Sequence, residues 1–337
     1  MPIPNTPLPP YPNGWYLYGF SDELKRGQIL NHPFMGQDII VYRTESGRAF
    51  AVDAYCQHLG AHFGFGGTIE GELLRCPFHG FCYDTDGVCV KTGYGTKPPP
   101  KAKLKTWQLR EQNGLLLIHY HTNAVPPSWE VPALSDTDWT PLLYHKFVLF
   151  DHPQETTENS VDLGHFAFVH KYRNARILCS PKIEKQYMST AYSVSRSLFG
   201  LEKLFPNALF EFQFETHIYG LGYSQVNVTI PRAGATLRLW VLPTPIDKDR
   251  IALNLATSAR LLEPGRIHPL LSFIPKLLLT NIVRHFTFAG FINDVKQDIP
   301  IWQNKKYISP PALAEGDGPI GIYRQWAKQF YNELQTE

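Results

Sequence analysis

Two short segments, Cys56-Gln57-His58 and Cys76-Pro77-Phe78-His79, stand seventeen residues apart and constrain this chain more than any other feature. Each supplies one thiolate and one imidazole. Two Cys with two His form the ligand set of a [2Fe–2S] cluster in which imidazoles hold one of the two irons. The alternative is a structural zinc site, but such sites usually pair Cys with Cys and His with His on C-x₂₋₄-C and H-x₃₋₅-H spacings. Small residues follow each pair, Leu59-Gly60-Ala61 and Gly80, so each half can close as a tight loop that turns backbone N–H groups toward the cluster sulfurs.

The surroundings of these loops read as small antiparallel β structure. Alternating or β-branched runs span Gln37 to Arg43, Arg48 to Ala54 and Leu115 to Tyr120, with turns at Glu45-Ser46-Gly47 and Asp84-Thr85-Asp86-Gly87. A Pro-rich stretch from Val125 to Pro132 reads as a linker. Beyond it the pattern predicts strands at Leu142–Phe150, Tyr223–Ile230, Thr236–Leu242 and Ile251–Thr257, and helices over about Glu155–His170 and Leu270–Gln303.

The first of those helices carries a second constellation. Asn159, Asp162 and His165 are three apart and would line one helix face, whereas His170, five beyond His165, would point off it. Both imidazoles reach one metal only if the helix is distorted or ends between them. Two neutral imidazoles and one carboxylate form the facial triad of mononuclear non-haem Fe(II), which leaves positions open for O₂ and substrate. By itself the D-x-x-H-x₄-H pattern is also compatible with structural or surface histidines; downstream of the Cys/His loops it gains weight.

Composition excludes several function classes. A net charge of +2 gives no nucleic-acid footprint and no acidic tail. With 337 residues and 43% hydrophobic content, the chain can build two domains with real cores. Cys82, Cys89 and Cys179 are an odd remainder that reads as reduced thiols, and the N-terminus, with six prolines in its first twelve residues, shows no basic-then-apolar signal pattern. The expectation is a cytoplasmic protein with an extended N-terminal arm. The most apolar stretch, Pro269 to Val283, is broken by Pro275 and Lys276 and falls short of the roughly 20 residues of a spanning helix. It reads as a buried helix, with contact at a membrane surface as the alternative.

From Trp15 to about Tyr331 the two constellations together resemble the catalytic, terminal oxygenase subunits of the Rieske non-haem iron oxygenases. The resemblance implies an α+β fold: an N-terminal antiparallel β Rieske domain, then an α+β catalytic domain whose antiparallel sheet and helices enclose the iron and an apolar pocket. The corresponding boundaries are a Pro-rich arm at 1–13, a Rieske domain at 14–124 and a catalytic domain at 134–337. It further implies that Cys56, His58, Cys76 and His79 hold the cluster and that His165, His170 and a late aspartate hold Fe(II). Asp162 matches the family's bridging carboxylate between the His ligands of the two centres, and Asn159 a polar residue beside the iron. Asp294 and Asp298 both sit in the late helix; the context Gln297-Asp298-Ile299-Pro300-Ile301-Trp302 selects Asp298, leaving Asp294 as a solvated helix residue.

Respiratory Rieske proteins carry an extra Cys in each loop, joined as a disulfide, and a Ser hydroxyl on a cluster sulfur. Here Ala61, Phe78 and Phe81 occupy those places. Fewer hydrogen bonds to the cluster place its potential toward the low end of roughly −150 to +300 mV. Tyr83 has two readings, a donor to a ligand sulfur or ordinary core packing.

A finer resemblance, carried by Gly60-Ala61-His62-Phe63-Gly64-Phe65-Gly66-Gly67, Cys76–Phe81, Ile301–Tyr307 and Arg324–Tyr331, is to the branch of sterol 7-desaturases and 3-ketosteroid hydroxylases. It implies a monooxygenase or desaturase that oxidises a C–H bond of an apolar, steroid-like substrate with O₂ as co-substrate. Other branches act on aromatic, N-methyl, O-methyl or alkaloid substrates. Electrons would come from a ferredoxin or an NAD(P)H-dependent reductase, since the chain has no G-x-G-x-x-G after a strand and no second Cys cluster. In the family, head-to-tail homotrimers place one chain's cluster beside the next chain's iron. The reading of another class is a Rieske electron carrier, which would leave Asn159, Asp162, His165, His170 and Asp298 without a role.

Overall fold

The computed structural model describes residues 8–196, 209–267, 270 and 272–332. The first seven residues of the predicted arm, and Pro269 and Leu271 of the apolar stretch, lie outside the described residues. The chain divides into two units, one of residues 14–133 with 245–248, the other of 1–13, 134–244 and 249–337. Antiparallel sheets dominate both and helices are few, which makes the fold α+β.

The first unit is built from three small sheets. In chain order its strands are β1 (Gly14–Phe20), β2 (Ile29–Phe34), β3 (Gln37–Arg43), β4 (Ala49–Asp53), β5 (Thr68–Glu70), β6 (Leu73–Arg75), β7 (Cys82–Tyr83), β8 (Cys89–Lys91), β9 (Thr106–Trp107), β10 (Leu109–Gln112) and β11 (Leu115–Tyr120). They pair as β1-β11-β10, β2-β3-β4-β9 and β5-β6-β7-β8. One core of Ile40, Tyr42, Val52, Phe63, Leu74, Phe81, Tyr83 and Leu104 also buries Cys56 and Cys76. Burying these large apolar side chains contributes about 1.5–3 kcal/mol each, which fixes the ends of the strands from which the Cys/His loops spring. The Pro-rich stretch predicted as a linker is tied down within this unit: Trp15 Nε1–H donates to Trp129 O at 2.9 Å, Gln112 Nε2–H to Val131 O at 2.5 Å and Asn113 Nδ2–H to Pro132 O at 3.0 Å.

The second unit is a seven-stranded sheet. Its strands are β12 (Leu143–Phe150), β13 (Arg173–Glu184), β14 (Tyr187–Arg196), β15 (Phe210–Tyr219), β16 (Tyr223–Ile230), β17 (Ala235–Pro245) and β18 (Arg250–Ala259), in the spatial order β12-β18-β17-β16-β15-β14-β13. Helices α1 (Pro153–Glu158) and α2 (Gly164–Phe168) lie between β12 and β13 in sequence. Then follow α3 (Pro264–Ile267), α4 (Lys276–Trp302) and α5 (Ile320–Ala327). At 27 residues α4 is about 40 Å long. It packs Phe288, Val295 and Trp302 on Leu149, Ile251, Leu253 and Leu255 of the sheet.

Three expectations need correction. The helix predicted over Glu155–His170 is two short helices separated by residues 159–163. Asp162 Oδ1 accepts the His165 amide at 3.1 Å, and Leu163 N–H bonds Asp317 O at 3.0 Å instead of a helical carbonyl. Both divert backbone groups from the helical ladder, as a short acidic side chain often does. Gly318, with φ +90°, lets this segment approach: a Cβ there would lie 2.3 Å from Val161 O. The apolar stretch to Val283 is not a buried helix, because α4 starts only at Lys276, after Pro275, and Leu277, Leu278 and Ile282 are exposed. Asp294 is not solvated but buried in an ion pair, described below. Strands β13 to β15 of the second unit, and β1, β2 and β5 to β10 of the first, were not among those predicted.

Two candidate metal centres and an apolar cavity

The Cys/His loops repeat one backbone pattern. Cys56 N–H bonds Ala61 O at 2.9 Å and Gly60 N–H bonds Cys56 O at 2.9 Å; Cys76 N–H bonds Phe81 O at 2.8 Å and Gly80 N–H bonds Cys76 O at 3.2 Å. Each loop turns through a left-handed glycine, Gly60 (φ 72°) and Gly80 (φ 65°), a conformation glycine enters without steric cost. A third segment closes over them, as Gly93 N–H donates to His79 O at 3.1 Å. A Cβ at Gly93 would lie 2.2 Å from that oxygen, so only glycine permits the approach.

The two imidazoles lie against each other, and the two thiols are neighbours. The rings of His58 and His79 lie 4.7 Å apart at 76°, and His58 stacks on Phe81 at 4.3 Å and 6°. His58 Nδ1 is a buried atom that makes no hydrogen bond among the described residues. A buried ring nitrogen without a partner costs about 1–3 kcal/mol, a cost that ligation of a metal removes. Burial pushes the Cys56 thiol up, while hydrogen bonds from Tyr83 and from the loop backbone pull it back. The Tyr83 hydroxyl sits 3.1 Å from Cys56 Sγ, so of its two sequence readings the sulfur contact is the one present.

In the second unit His165, His170 and Asp298 each bring one donor atom within 4.8 Å of the others. Helix α2 ends at Phe168, and Lys171 (φ 59°) turns the chain, so His170 swings back toward His165 with ring centroids 5.0 Å apart. His165 Nδ1 contacts Asp162 O at 2.7 Å. A carbonyl can only accept, so Nδ1 carries the proton and Nε2 keeps its lone pair for a metal. His170 Nδ1 is buried and makes no hydrogen bond among the described residues, and its Nε2 is 3.5 Å from Asp298 Oδ1.

Electrostatics fit the same donor set. Burial pushes His170 down to about 4, which keeps the imidazole neutral at pH 7. Burial pushes Asp298 up to about 7, against the opposing pull of His165. The His170–Asp298 contact is therefore no ion pair near neutrality, and the carboxylate lacks a compensating charge that a divalent cation would supply. Burial alone would raise Asp162, but hydrogen bonds from His165 and Gly164 outweigh it and leave the carboxyl below its ordinary value. Asn159, the C-cap of α1, accepts from Trp302 Nε1–H at 3.3 Å beside the cluster of donors. Helix α1 is held in place by buried ion pairs: Glu158 takes both Arg324 nitrogens at 2.5 and 2.8 Å, and Glu155 takes Lys305 at 2.8 Å.

Sequence reasoning missed a buried triad next to this cluster. Asp294 Oδ2 accepts from Arg196 Nη1 and from the Tyr172 hydroxyl, each at 2.5 Å, and Arg196 also bonds the Tyr172 oxygen. No local signal links residues 98 and 122 positions apart. Both metal-donor histidines, Asp298, Asn159 and this triad open on one cavity. Its floor crosses five adjacent strands at Tyr192, Phe214, Val228, Leu239 and Leu253, roughly 19 Å of sheet, and Phe291, Val295 and Trp302 of α4 roof it. About 160 Å³ is open to the centre of a water molecule, room for roughly a dozen waters.

A chain with both donor sets falls in a narrow class, the Rieske-type oxygenases, which contain a [2Fe–2S] cluster and a mononuclear iron and use O₂. Comparisons with known proteins agree. Residues 14–108 match the Rieske [2Fe-2S] domain, and residues 118–331 match the 3-ketosteroid 9alpha-hydroxylase C-terminal domain. The chain belongs to this family of Rieske oxygenases. It is 30% identical to a cholesterol 7-desaturase of Hemicentrotus pulcherrimus, over 97% of this chain and 71% of that one. It is 28% identical to a probable 3-ketosteroid-9-alpha-monooxygenase oxygenase component of Rhodococcus rhodochrous, over 98% and 82%. The crystal structure of dicamba monooxygenase bound to dicamba shares the fold, with a TM-score of 0.74 at 16% identity over 96% of this chain and 98% of that one. No helix among the described residues is long and apolar enough to cross a membrane.

Proposed function

We propose that this chain is the terminal oxygenase that hydroxylates or desaturates a ring C–H bond of a steroid or similarly sized polycyclic compound. The observation that carries the reading is the apolar cavity spanning five strands with His165, His170 and Asp298 at its wall. Such a space suits a flat polycyclic skeleton anchored by few polar groups. The sterol- and ketosteroid-acting names of the relatives point to the same substrate class.

Cys56, Cys76, His58 and His79 would hold the cluster and His165, His170 and Asp298 the iron, together supplying single-electron transfer and O₂ activation. Asp162 keeps His165 in the tautomer that presents Nε2, through its carbonyl on Nδ1, and its carboxylate would link the two metal centres across a subunit boundary in a homotrimer. Asn159, fixed by Trp302, would stand beside the iron on the cavity wall. Phe166, Phe214, Leu239 and Phe291 line the cavity and would exclude water and hold the substrate ring system beside His165, His170 and Asp298. A separate ferredoxin or reductase would deliver the electrons.

The test is turnover with a surrogate reductase on a panel of sterols, ketosteroids, aromatic acids and N-methyl compounds, with oxygen uptake and product mass recorded. Product-coupled uptake with the polycyclic members is expected. Coupled uptake only with the small aromatic or methylamine members would reject the substrate reading.

A further inference from the structure

The first three turns of α4 are amphipathic in the wrong sense for a helix facing water. Inward they place Thr280 and Arg284, both buried: Thr280 Oγ1 accepts Leu262 N–H at 2.9 Å, and Arg284 donates to Pro141 O. Leu279 and Val283 on the same side join the sheet core. Outward they place Leu277, Leu278, Ile282 and Phe286, with Lys276 and His285 the exposed polar exceptions. Just before the helix Phe273 is 81% exposed. Large apolar side chains clustered on an exposed face, opposite buried polar ones, mark a surface adapted to an apolar environment.

Charge narrows the choice of that environment. From Arg260 to Ile292 the sequence carries Arg260, Arg266 and Lys276 outside the buried Arg284, against a single acidic residue, Glu263, which pairs with Lys276 at 2.6 Å and leaves the exposed Arg260 uncompensated. A cationic segment with exposed Phe and Leu at a loop–helix junction complements an anionic lipid surface, where apolar burial and electrostatic attraction add. A further turn along, the same helix lines the cavity with Thr287, Phe291 and Val295. We propose that Phe273, Leu277, Leu278, Ile282 and Phe286 insert into the interfacial layer of an anionic phospholipid bilayer and hold the chain there as a monotopic enzyme. Docking itself stands apart from the substrate reading. Its purpose, passage of a membrane-dissolved polycyclic compound along α4 into the cavity, rests on that reading.

The experiment is flotation of the full-length, metal-loaded protein with phosphatidylcholine vesicles, with and without phosphatidylserine, and without substrate, so that its outcome is separate from the turnover assay. The wild-type protein is expected to float, more strongly with phosphatidylserine and less so in high salt. Phe273→Ser combined with Leu278→Ser should lower vesicle affinity roughly 100-fold, about tenfold or more per side chain withdrawn from lipid, with melting temperature, iron content and solution mass unchanged. Leu277→Ser with Ile282→Ser serves as a second pair should the first fold poorly. Failure of the wild-type protein to float, or equal flotation of both double variants, would overturn the proposal. So would a fall in solution mass on substitution without lipid binding, which would make the face a contact between copies of this chain.

Discussion

Asp294 and Asp298 lie one turn apart on α4, both buried and both facing the cavity, yet their replacement by Asn should act in opposite directions on metal-free protein. Burial raises the Asp298 carboxyl from an ordinary 3.8 to about 7, so the metal-free fold disfavours the ionised form. Each unit is worth about 1.4 kcal/mol, which places the penalty at roughly 4 kcal/mol once the group is fully ionised. A carboxyl raised in the folded state loses no stability below its unfolded pKa. The penalty grows as pH rises from about 4 to about 7 and is constant above. Asp298→Asn removes it, so the stripped variant should melt above the stripped wild type at pH 8, with the gap shrinking toward pH 5. The same variant should lose mononuclear iron and turnover. Asp294→Asn instead strips the counter-charge from Arg196, whose side chain is 16% exposed. An uncompensated buried charge costs about 3–5 kcal/mol, or a melting temperature lower by roughly 6–20 °C at ~2–4 °C per kcal/mol. Calorimetry of the stripped proteins at the two pH values, with iron counted by mass spectrometry after reloading, reads both effects. If Asp298→Asn kept its iron and melted low, while Asp294→Asn lost iron at unchanged stability, the two roles would be inverted and the reasoning refuted.

Tyr83→Phe removes a hydrogen bond of about 0.5–1.5 kcal/mol to the Cys56 sulfur; at ~59 mV per 1.4 kcal/mol for one electron the cluster potential should fall by roughly 20–60 mV. Protein-film voltammetry checks this, and an unchanged potential would show that the contact does not act on the cluster. Gly93→Ala sets a methyl against His79 O and should displace that loop; visible absorption should report loss of most of the cluster, and a full spectrum would contradict the close approach. Burial pushes His152 down to about 4, so the folded state refuses a proton that the unfolded chain takes up near 6.5. Its stability contribution is complete above pH 6.5 and lost as pH falls toward 4, by about 3 kcal/mol at most. His152→Asn keeps an acceptor for the Gln154 amide at the start of α1 while removing the titration. Denaturant midpoints should therefore fall less steeply with acid than in the wild type; an identical slope would assign the acid sensitivity to other groups, His119 among them.

Sequence alone pointed to both donor sets, because each consists mostly of residues close in the chain. The paired Cys/His loops each turn on a glycine of their own, and His165 and His170 are brought together by one helix end and one left-handed residue, Lys171. Alternating runs likewise exposed seven of the eighteen strands among the described residues, since a half-buried strand repeats every two residues. Strand β13 escaped because it is an exposed edge strand with Pro181 and three register shifts, so burial imposed no alternation on it. Strand β15 does alternate, in Phe210-Glu211-Phe212-Gln213-Phe214, a signal open to sequence reading. Only tertiary structure decided what Asp294 does, because its partners Tyr172 and Arg196 lie 122 and 98 residues away and a helical period treats Asp294 and Asp298 alike. The same holds for the start of α4. Its sequence is apolar on both sides, and which side meets the core was settled by where Thr280 and Arg284 find acceptors and donors in Leu262 and Pro141. Hydrogen-bond partners distant in sequence chose the buried face, and the apolar residues left over were turned outward.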